Sequence, residues 1–266
     1  AAVPRPRDRG GEVGQLRGEE CGLTPSFQDD DYPADPYPGL RPPGSYVHLD
    51  GAGHELTPTR GGSGWQVATG AELDEWLRAH GAPPLTERCP VLAYGSNANP
   101  SKITWLRQEL GLRGPVVVLG ATCWDISAVW SAGRRARDGQ RPAVLAAAPG
   151  AVERHAVWMA TPEQRRVLDV CEGRGQRYRL CWLRARVKLD DGTELPRVLA
   201  YTAHPASMGP DTPEHANRAP LLVDGRPVPV SELPQREAAR LSGVPAVEDG
   251  LDVVEVTGEP ERCSAR

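Results

Sequence analysis

The 266-residue sequence lacks the features that would place it in a class at once. No apolar run approaches the roughly 20 residues that a membrane-spanning helix needs, so no membrane span is expected. There is no surplus of positive charge: 31 basic residues against 35 acidic ones leave a net charge of −4. That balance argues against nucleic acid as the main partner. Ala1 to Gly11 carry charges with no apolar segment behind them, so no intact signal peptide is expected. The six cysteines include no C-x-x-C pair, and none lies near a His pair with zinc-like spacing. They read as reduced, mostly buried thiols, with no metal site and a cytoplasmic setting. No internal repeat is visible.

What is present is irregularity with islands of pattern. The 29 glycines and 27 prolines fall short of the roughly 25–30% that marks low complexity, but they announce long turn-rich stretches. Residues 1–34 have few apolar anchors and end in Gln28-Asp29-Asp30-Asp31, which reads as a flexible tail with a solvated acidic linker. Residues 35–89 read as an N-terminal extension packed on the main body. It holds a short apolar piece at Tyr46-Val47-His48-Leu49. It also holds a helix over 71–80, with Leu73, Trp76 and Leu77 on one face and Gly81 closing it.

From Cys89 the pattern tightens. A buried-strand run ends at Tyr94, and Asn99-Pro100 gives a cap and a first-turn proline for a helix with Ile103, Leu106 and Leu110 on one face. Strands are expected over 116–122, 124–130, 143–148 and 155–160, with a charged hairpin tip over 134–140. Thr161-Pro162-Glu163-Gln164 has capping-box form and opens a helix that stops at Gly173. A hairpin follows over 178–189 and 195–203, with a bulge expected near Trp182-Leu183. The remainder, 206–266, is a Pro-rich C-terminal extension with one helix near 234–241. Five to seven short strands with few helices predict an α+β domain over 90–205, its small mixed sheet curling toward a barrel flanked by helices.

Two places depart from what folding alone would choose. At Tyr94-Gly95-Ser96-Asn97, Gly95 permits a sharp or left-handed turn. The backbone N–H groups there sit just ahead of a helix N-terminus, a suitable place for a carboxylate or an oxyanion. The alternative is an ordinary strand–turn–helix connection. The second place is Glu172, four residues after the core-facing Leu168 and in the last turn of its helix. Burial, the helix dipole and like charge from Asp169 would all raise its pKa, making it a candidate general acid or base. The alternative is an outward side chain paired with Arg174, Arg177 or Arg179.

Together these features resemble the γ-glutamylcyclotransferase family. The resemblance rests on Val91-Leu92-Ala93-Tyr94-Gly95-Ser96-Asn97 and on Leu168-Asp169-x-x-Glu172-Gly173 followed by Tyr178. Gly120 and Val157-Trp158-Met159 fall in the family's order, and the span is roughly residues 90–203. It implies a cavity shared by the Tyr-Gly-Ser-Asn loop and the Glu, with no metal or organic cofactor. In the reaction it implies, the α-amine of a γ-glutamyl group attacks its own γ-carbonyl, giving 5-oxoproline and a released amine or peptide. Glu172 would be the acid/base. Gly95, Ser96 and Asn97 would bind the substrate through their N–H groups, with Tyr94 and Tyr178 lining the pocket or simply packing on their strands. Arg134-Arg135-Ala136-Arg137 and the arginines from Arg174 to Arg186 are candidates for recognising substrate carboxylates, the alternative and commoner meaning being a solvated charged face.

Three other readings stay open. An amide hydrolase would use the same Glu172 with water as nucleophile. A binding module would keep the fold without catalysis. A cysteine hydrolase would need Cys123 or Cys171 beside His155 or His204, for which no local motif exists.

Overall fold

The computed structural model describes residues 24–261. In chain order the strands are β1 (Phe27–Gln28), β2 (Ser45–Leu49), β3 (Ala52–Pro58), β4 (Trp65–Val67), β5 (Cys89–Ala93), β6 (Val116–Trp130), β7 (Ala143–Ala160), β8 (Tyr178–Leu183), β9 (Val187–Leu189), β10 (Glu194–Leu195), β11 (Val198–Ala203), β12 (Leu221–Val223), β13 (Arg226–Pro227), β14 (Val244–Pro245) and β15 (Val253–Glu255). The α-helices are α1 (Leu73–Ala79), α2 (Pro100–Leu110), α3 (Pro162–Glu172) and α4 (Gln235–Ala238).

The main sheet runs β1-β3-β2-β6-β7-β5-β11-β8-β15, with β4 added to β3 and a β9–β10 pair added to β6. Within this sheet β5 and β11 are parallel neighbours, with Leu199 opposite Val91. A small second sheet joins β13, β12 and β14. The architecture is α+β as expected, but the sheet is open and not a closed barrel. The outer edge of β6 over Val116–Val118 is taken by β2, and that of β8 by β15, so strands from outside residues 90–205 occupy edges that closure would have to join.

The expected strand pairs over 116–130 and 143–160 are each one long strand. β6 and β7 form a single antiparallel hairpin with a register shift between Trp124 and Ile126, where Asp125 takes a positive φ of 62°. The expected bulge near Trp182-Leu183 is a full departure: β8 ends at Leu183, and β9 crosses to pair with Ala121–Cys123 of β6.

Strand alternation divides the core between the sheet's two faces. Val91, Val116, Val118, Trp158 and Leu199 lie on one face with Ile103 and Leu106 of α2 and Leu168 of α3. Leu92, Val117, Leu119, Val157 and Val198 lie on the other with Leu73, Trp76 and Leu77 of α1. The helix signals act as read. Asn99 accepts from the Lys102 N–H at 2.8 Å, and the Thr161/Gln164 capping box forms. Gly111 and Gly173 close α2 and α3 in the left-handed conformation.

Three expectations need correction. Of the predicted flexible tail, 1–23 lies outside the described residues, but 24–34 is built into the fold. Phe27 packs edge-on against Tyr46, and Asp29 bonds His48 Nε2 at 2.8 Å while its carbonyl accepts from Ser101. The acidic run is therefore no solvated linker at Asp29. Cys89 is disulfide-bonded, whereas Cys123, Cys171 and Cys181 are free thiols. Scattered single cysteines carry no local pairing signal, and a disulfide marks an oxidising compartment, so the inference from these cysteines to a cytoplasmic setting loses its basis. Among the described residues no helix is long and apolar enough to cross a membrane.

Candidate active site

β5 delivers Tyr94 and Gly95 to the end of the sheet, where a single 3-10 turn over Ser96–Ala98 leads into α2. α3 follows directly from β7, the antiparallel neighbour of β5, so its C-terminal residue Glu172 comes back over the same edge. Between them lies a cavity of about 570 Å³. Tyr94, Gly95, Ser96, Asn97, Glu172 and Tyr178 all line it, so the structure brings the loop, the helix-end carboxylate and Tyr178 to one cavity.

Asn97 ties the two halves of the site. Its Nδ2 donates to Glu172 Oε1 at 2.7 Å, and Trp158 Nε1 donates to its carbonyl at 2.8 Å. An ionised carboxylate fixes this orientation, because the amide oxygen turned toward it would be repelled. Glu172 Oε2 is left without a donor among the described residues, as are the backbone N–H groups of Gly95, Ser96 and Asn97 without an acceptor. Burial pushes the Glu172 pKa up from its ordinary value, against the lowering effects of the Asn97 donor and the charges of Lys102, Arg177 and Arg218.

Asp169 does not supply the like-charge repulsion expected of it. It is engaged by Arg165 at 2.5 Å, Arg174 at 3.1 Å and the Tyr201 hydroxyl at 2.7 Å. Nor does Glu172 pair with the neighbouring arginines. Arg174 goes to Asp169, Arg177 donates to the Cys171 carbonyl at 2.8 Å, and Arg179 faces Glu255.

Gly95 is needed for a reason other than a left-handed turn, since its φ is −117°. A Cβ there would stand 2.7 Å from the Tyr37 hydroxyl oxygen. Tyr37 is a site residue that sequence reasoning missed. Its hydroxyl oxygen accepts from the Ala143 N–H at 3.0 Å, which leaves the O–H proton free to donate, and burial raises its pKa to about 12. The only local hint was its Pro-Tyr-Pro setting. Of the two cavity-lining tyrosines named from sequence, Tyr94 donates to the Tyr201 carbonyl at 2.5 Å and so braces β5 against β11, while Tyr178 is buried against the Ala143 carbonyl.

The arginine stretches divide. Arg135, Arg137 and Arg177 line the cavity, whereas Arg134 pairs with Glu214 and Arg186 with Glu194. The pairings a cysteine hydrolase would need do not form. The Cys123 thiol is pushed up to about 12 and Cys171 to about 11, both chiefly by burial, while His155 bonds Glu153 and His204 caps its own turn. Among the described residues no group of three His, Cys, Asp or Glu side chains is placed to hold a metal ion.

A scan against protein-family profiles and a search of curated proteins found no match. Solved structures do resemble part of the chain. An uncharacterized protein from Homo sapiens is 19% identical, covering 44% of this chain and 68% of its own, with a TM-score of 0.37. A γ-glutamyl cyclotransferase is 20% identical over 44% of this chain and 68% of its own, with a TM-score of 0.36. An AIG2-like protein from Mus musculus is 19% identical over 49% of this chain and 88% of its own, with a TM-score of 0.35. Over somewhat under half of its length, this chain is similar to γ-glutamyl cyclotransferase and AIG2-like structures.

Proposed function

We propose that the chain is a γ-glutamyl cyclotransferase-type enzyme that releases 5-oxoproline and an amine or peptide from a small γ-glutamyl substrate. The observation that carries this reading is the pairing of Glu172 with Asn97 at 2.7 Å across a cavity edged by three unsatisfied N–H groups. A carboxylate held by one oxygen, with the other open to the cavity, has the position of an acid/base.

In the proposed reaction Glu172 Oε2 takes a proton from the substrate α-ammonium. The freed amine nitrogen attacks the γ-carbonyl carbon, and the resulting oxyanion sits against the Gly95–Asn97 N–H groups. Glu172 returns that proton to the leaving nitrogen as collapse breaks the original C–N bond. It then takes the second proton from the new ring nitrogen and passes it to the released amine, which departs as an ammonium and leaves a neutral lactam. No water is consumed. Nucleophile and electrophile share one molecule, so holding the substrate in ring-closing geometry supplies much of the rate.

The raised Glu172 pKa gives a pH dependence. Catalysis needs the ionised carboxylate, so kcat/KM, which reports the free enzyme, is expected to fall as pH drops through that pKa. The acid limb should lie above the range of an unperturbed glutamate. A kcat/KM–pH profile with no acid limb above that range would remove Glu172 from the base role. The reading as a whole is tested by mass spectrometry on a panel of γ-glutamyl dipeptides and amines. Formation of 5-oxoproline supports it, release of free glutamate makes the chain a hydrolase using the same site, and binding without turnover makes it a binding module.

A further inference from the structure

The tyrosines Tyr37, Tyr94, Tyr178 and Tyr201 line the cavity. Three of them spend the hydroxyl proton on the protein itself. Tyr94 donates to the Tyr201 carbonyl at 2.5 Å, Tyr178 to the Ala143 carbonyl at 3.4 Å, and Tyr201 to Asp169 Oδ1 at 2.7 Å. Tyr37 is different. Its oxygen accepts from the Ala143 N–H at 3.0 Å, and among the described residues no acceptor meets its proton. A phenol has one proton to donate, so the Ala143 bond fixes the oxygen and leaves the proton for whatever occupies the cavity.

The ring is held from several sides. The Tyr37 N–H donates to Gln140 Oε1 at 2.7 Å, and the Tyr37 carbonyl accepts from Gln235 Nε2 at 3.1 Å. Gln235 is itself fixed, because its Oε1 accepts from the Arg141 N–H at 2.8 Å. The Arg135 guanidinium lies over the Tyr37 ring at 4.7 Å, and Trp130 tilts against it at 6.4 Å between centroids. The hydroxyl oxygen stands over Gly95, 2.7 Å from where a Cβ would be. That is the first residue of the loop whose N–H groups are free. A donor held this way needs no reorganisation when charge develops beside it.

Resting on the cyclotransferase reading, we infer that Tyr37 is a further catalytic residue, whose O–H donates to the oxyanion formed at the γ-carbonyl, beside the Gly95–Asn97 N–H groups. The phenol keeps its proton throughout, and its hydrogen bond strengthens as the carbonyl oxygen gains charge. Full positive charges that suit a bound carboxylate stand elsewhere on the wall, at Arg177 and Arg218. A neutral donor suits charge that appears only during the reaction. Burial pushes the Tyr37 pKa up to about 12, and Glu172 acts the same way against the Ala143 N–H, Arg135 and Arg218, so the hydroxyl is a donor at neutral pH. Tyr37 lies before residue 90, outside the span of the sequence resemblance, and Gln235 lies after residue 205. The two extensions therefore supply and hold a donor for a site otherwise built from residues 90–205.

The test is the single-turnover rate of 5-oxoproline formation from γ-glutamylalanine in the full-length protein. Tyr37→Phe is expected to lower it by about 10²- to 10³-fold, the loss typical of one oxyanion donor. Calorimetric affinity of γ-glutamylalanine for Glu172→Gln should stay within about twofold when Tyr37→Phe is added, because the bond forms only as the reaction proceeds. A rate loss below about tenfold overturns the assignment. So does a loss of affinity that matches the loss of rate, which would put the hydroxyl on the bound substrate before reaction. A ring-difluorinated tyrosine at position 37 keeps both ring and hydroxyl, and it carries the test if Tyr37→Phe does not fold. Its more acidic phenol should make the rate fall at alkaline pH where wild type holds, and a profile superimposed on wild type overturns the role. If wild type forms 5-oxoproline and Tyr37→Phe matches it, the cyclotransferase reading stands without Tyr37. Free glutamate from wild type sinks that reading alone, since hydrolysis passes through the same oxyanion and the Tyr37→Phe comparison is then made on glutamate. No turnover to either product overturns both.

Discussion

Replacing Glu172 by Gln is expected to lower turnover of a γ-glutamyl dipeptide by about 10²- to 10⁴-fold, the usual contribution of a positioned acid/base. Folding should survive. Gln has the same shape, and its carbonyl oxygen can still accept from Asn97 Nδ2. The direction of the stability change follows from the raised pKa. Between the unfolded and the folded pKa the native state holds more protons than the unfolded chain, so ionising Glu172 destabilises the fold as pH rises through that window. Gln removes this penalty, so at neutral pH the variant should be as stable as wild type or slightly more so. Thermal unfolding alongside the rate measurement separates lost chemistry from lost structure. Wild-type rates in Glu172→Gln would end the proposed role.

The second large effect is on stability. Trp158 is fully buried on β7, packed with Val91, Val118 and Leu168, and its indole N–H donates to the Asn97 carbonyl. Trp158→Ala should cost about 3–5 kcal/mol through lost burial and the cavity left behind, read as a shift in the denaturation midpoint. Trp158→Phe keeps most of the packing but frees the Asn97 carbonyl, and with it the placement of the Asn97 side chain against Glu172. Its expected signature is a drop in kcat larger than its stability loss would explain. If Trp158→Phe retains full kcat, the indole bond does not position the site.

The parts of the fold that were legible are those whose signals are local. The Asn99 cap, the Thr161/Gln164 capping box and Gly173 each act within a few residues of their own position, and they place α2 and α3 where the sequence indicates. The loop and Glu172 were legible for the same reason, since each sits at the end of an element whose period can be read. The N-terminal strands were not. Tyr46 and Val47 are buried because β2 pairs with β6, some seventy residues on, and Phe27 finds its place over Gly53, where a Cβ would lie 1.9 Å from the ring. Nothing in the local composition of residues 24–34 carries that information.

Tyr37 and Arg218 were missed for a related reason. Each is an isolated polar residue in a Pro-rich stretch, and each acquires meaning through a neighbour more than a hundred residues away or on another element: Ala143 for Tyr37, Arg177 and Tyr178 for Arg218. Charge density was a poor guide as well. The dense run from Arg134 to Arg137 supplies cavity residues already held in ion pairs, while the lone Arg218 is held by backbone carbonyls and has no ion pair among the described residues.

The most direct test of the account is the fate of solvent oxygen when wild-type protein is incubated with γ-glutamylalanine in ¹⁸O-labelled water. Intramolecular attack by the α-amine predicts unlabelled 5-oxoproline and free alanine. ¹⁸O-labelled glutamate would contradict it, because water and not the substrate amine would then be the nucleophile at Glu172.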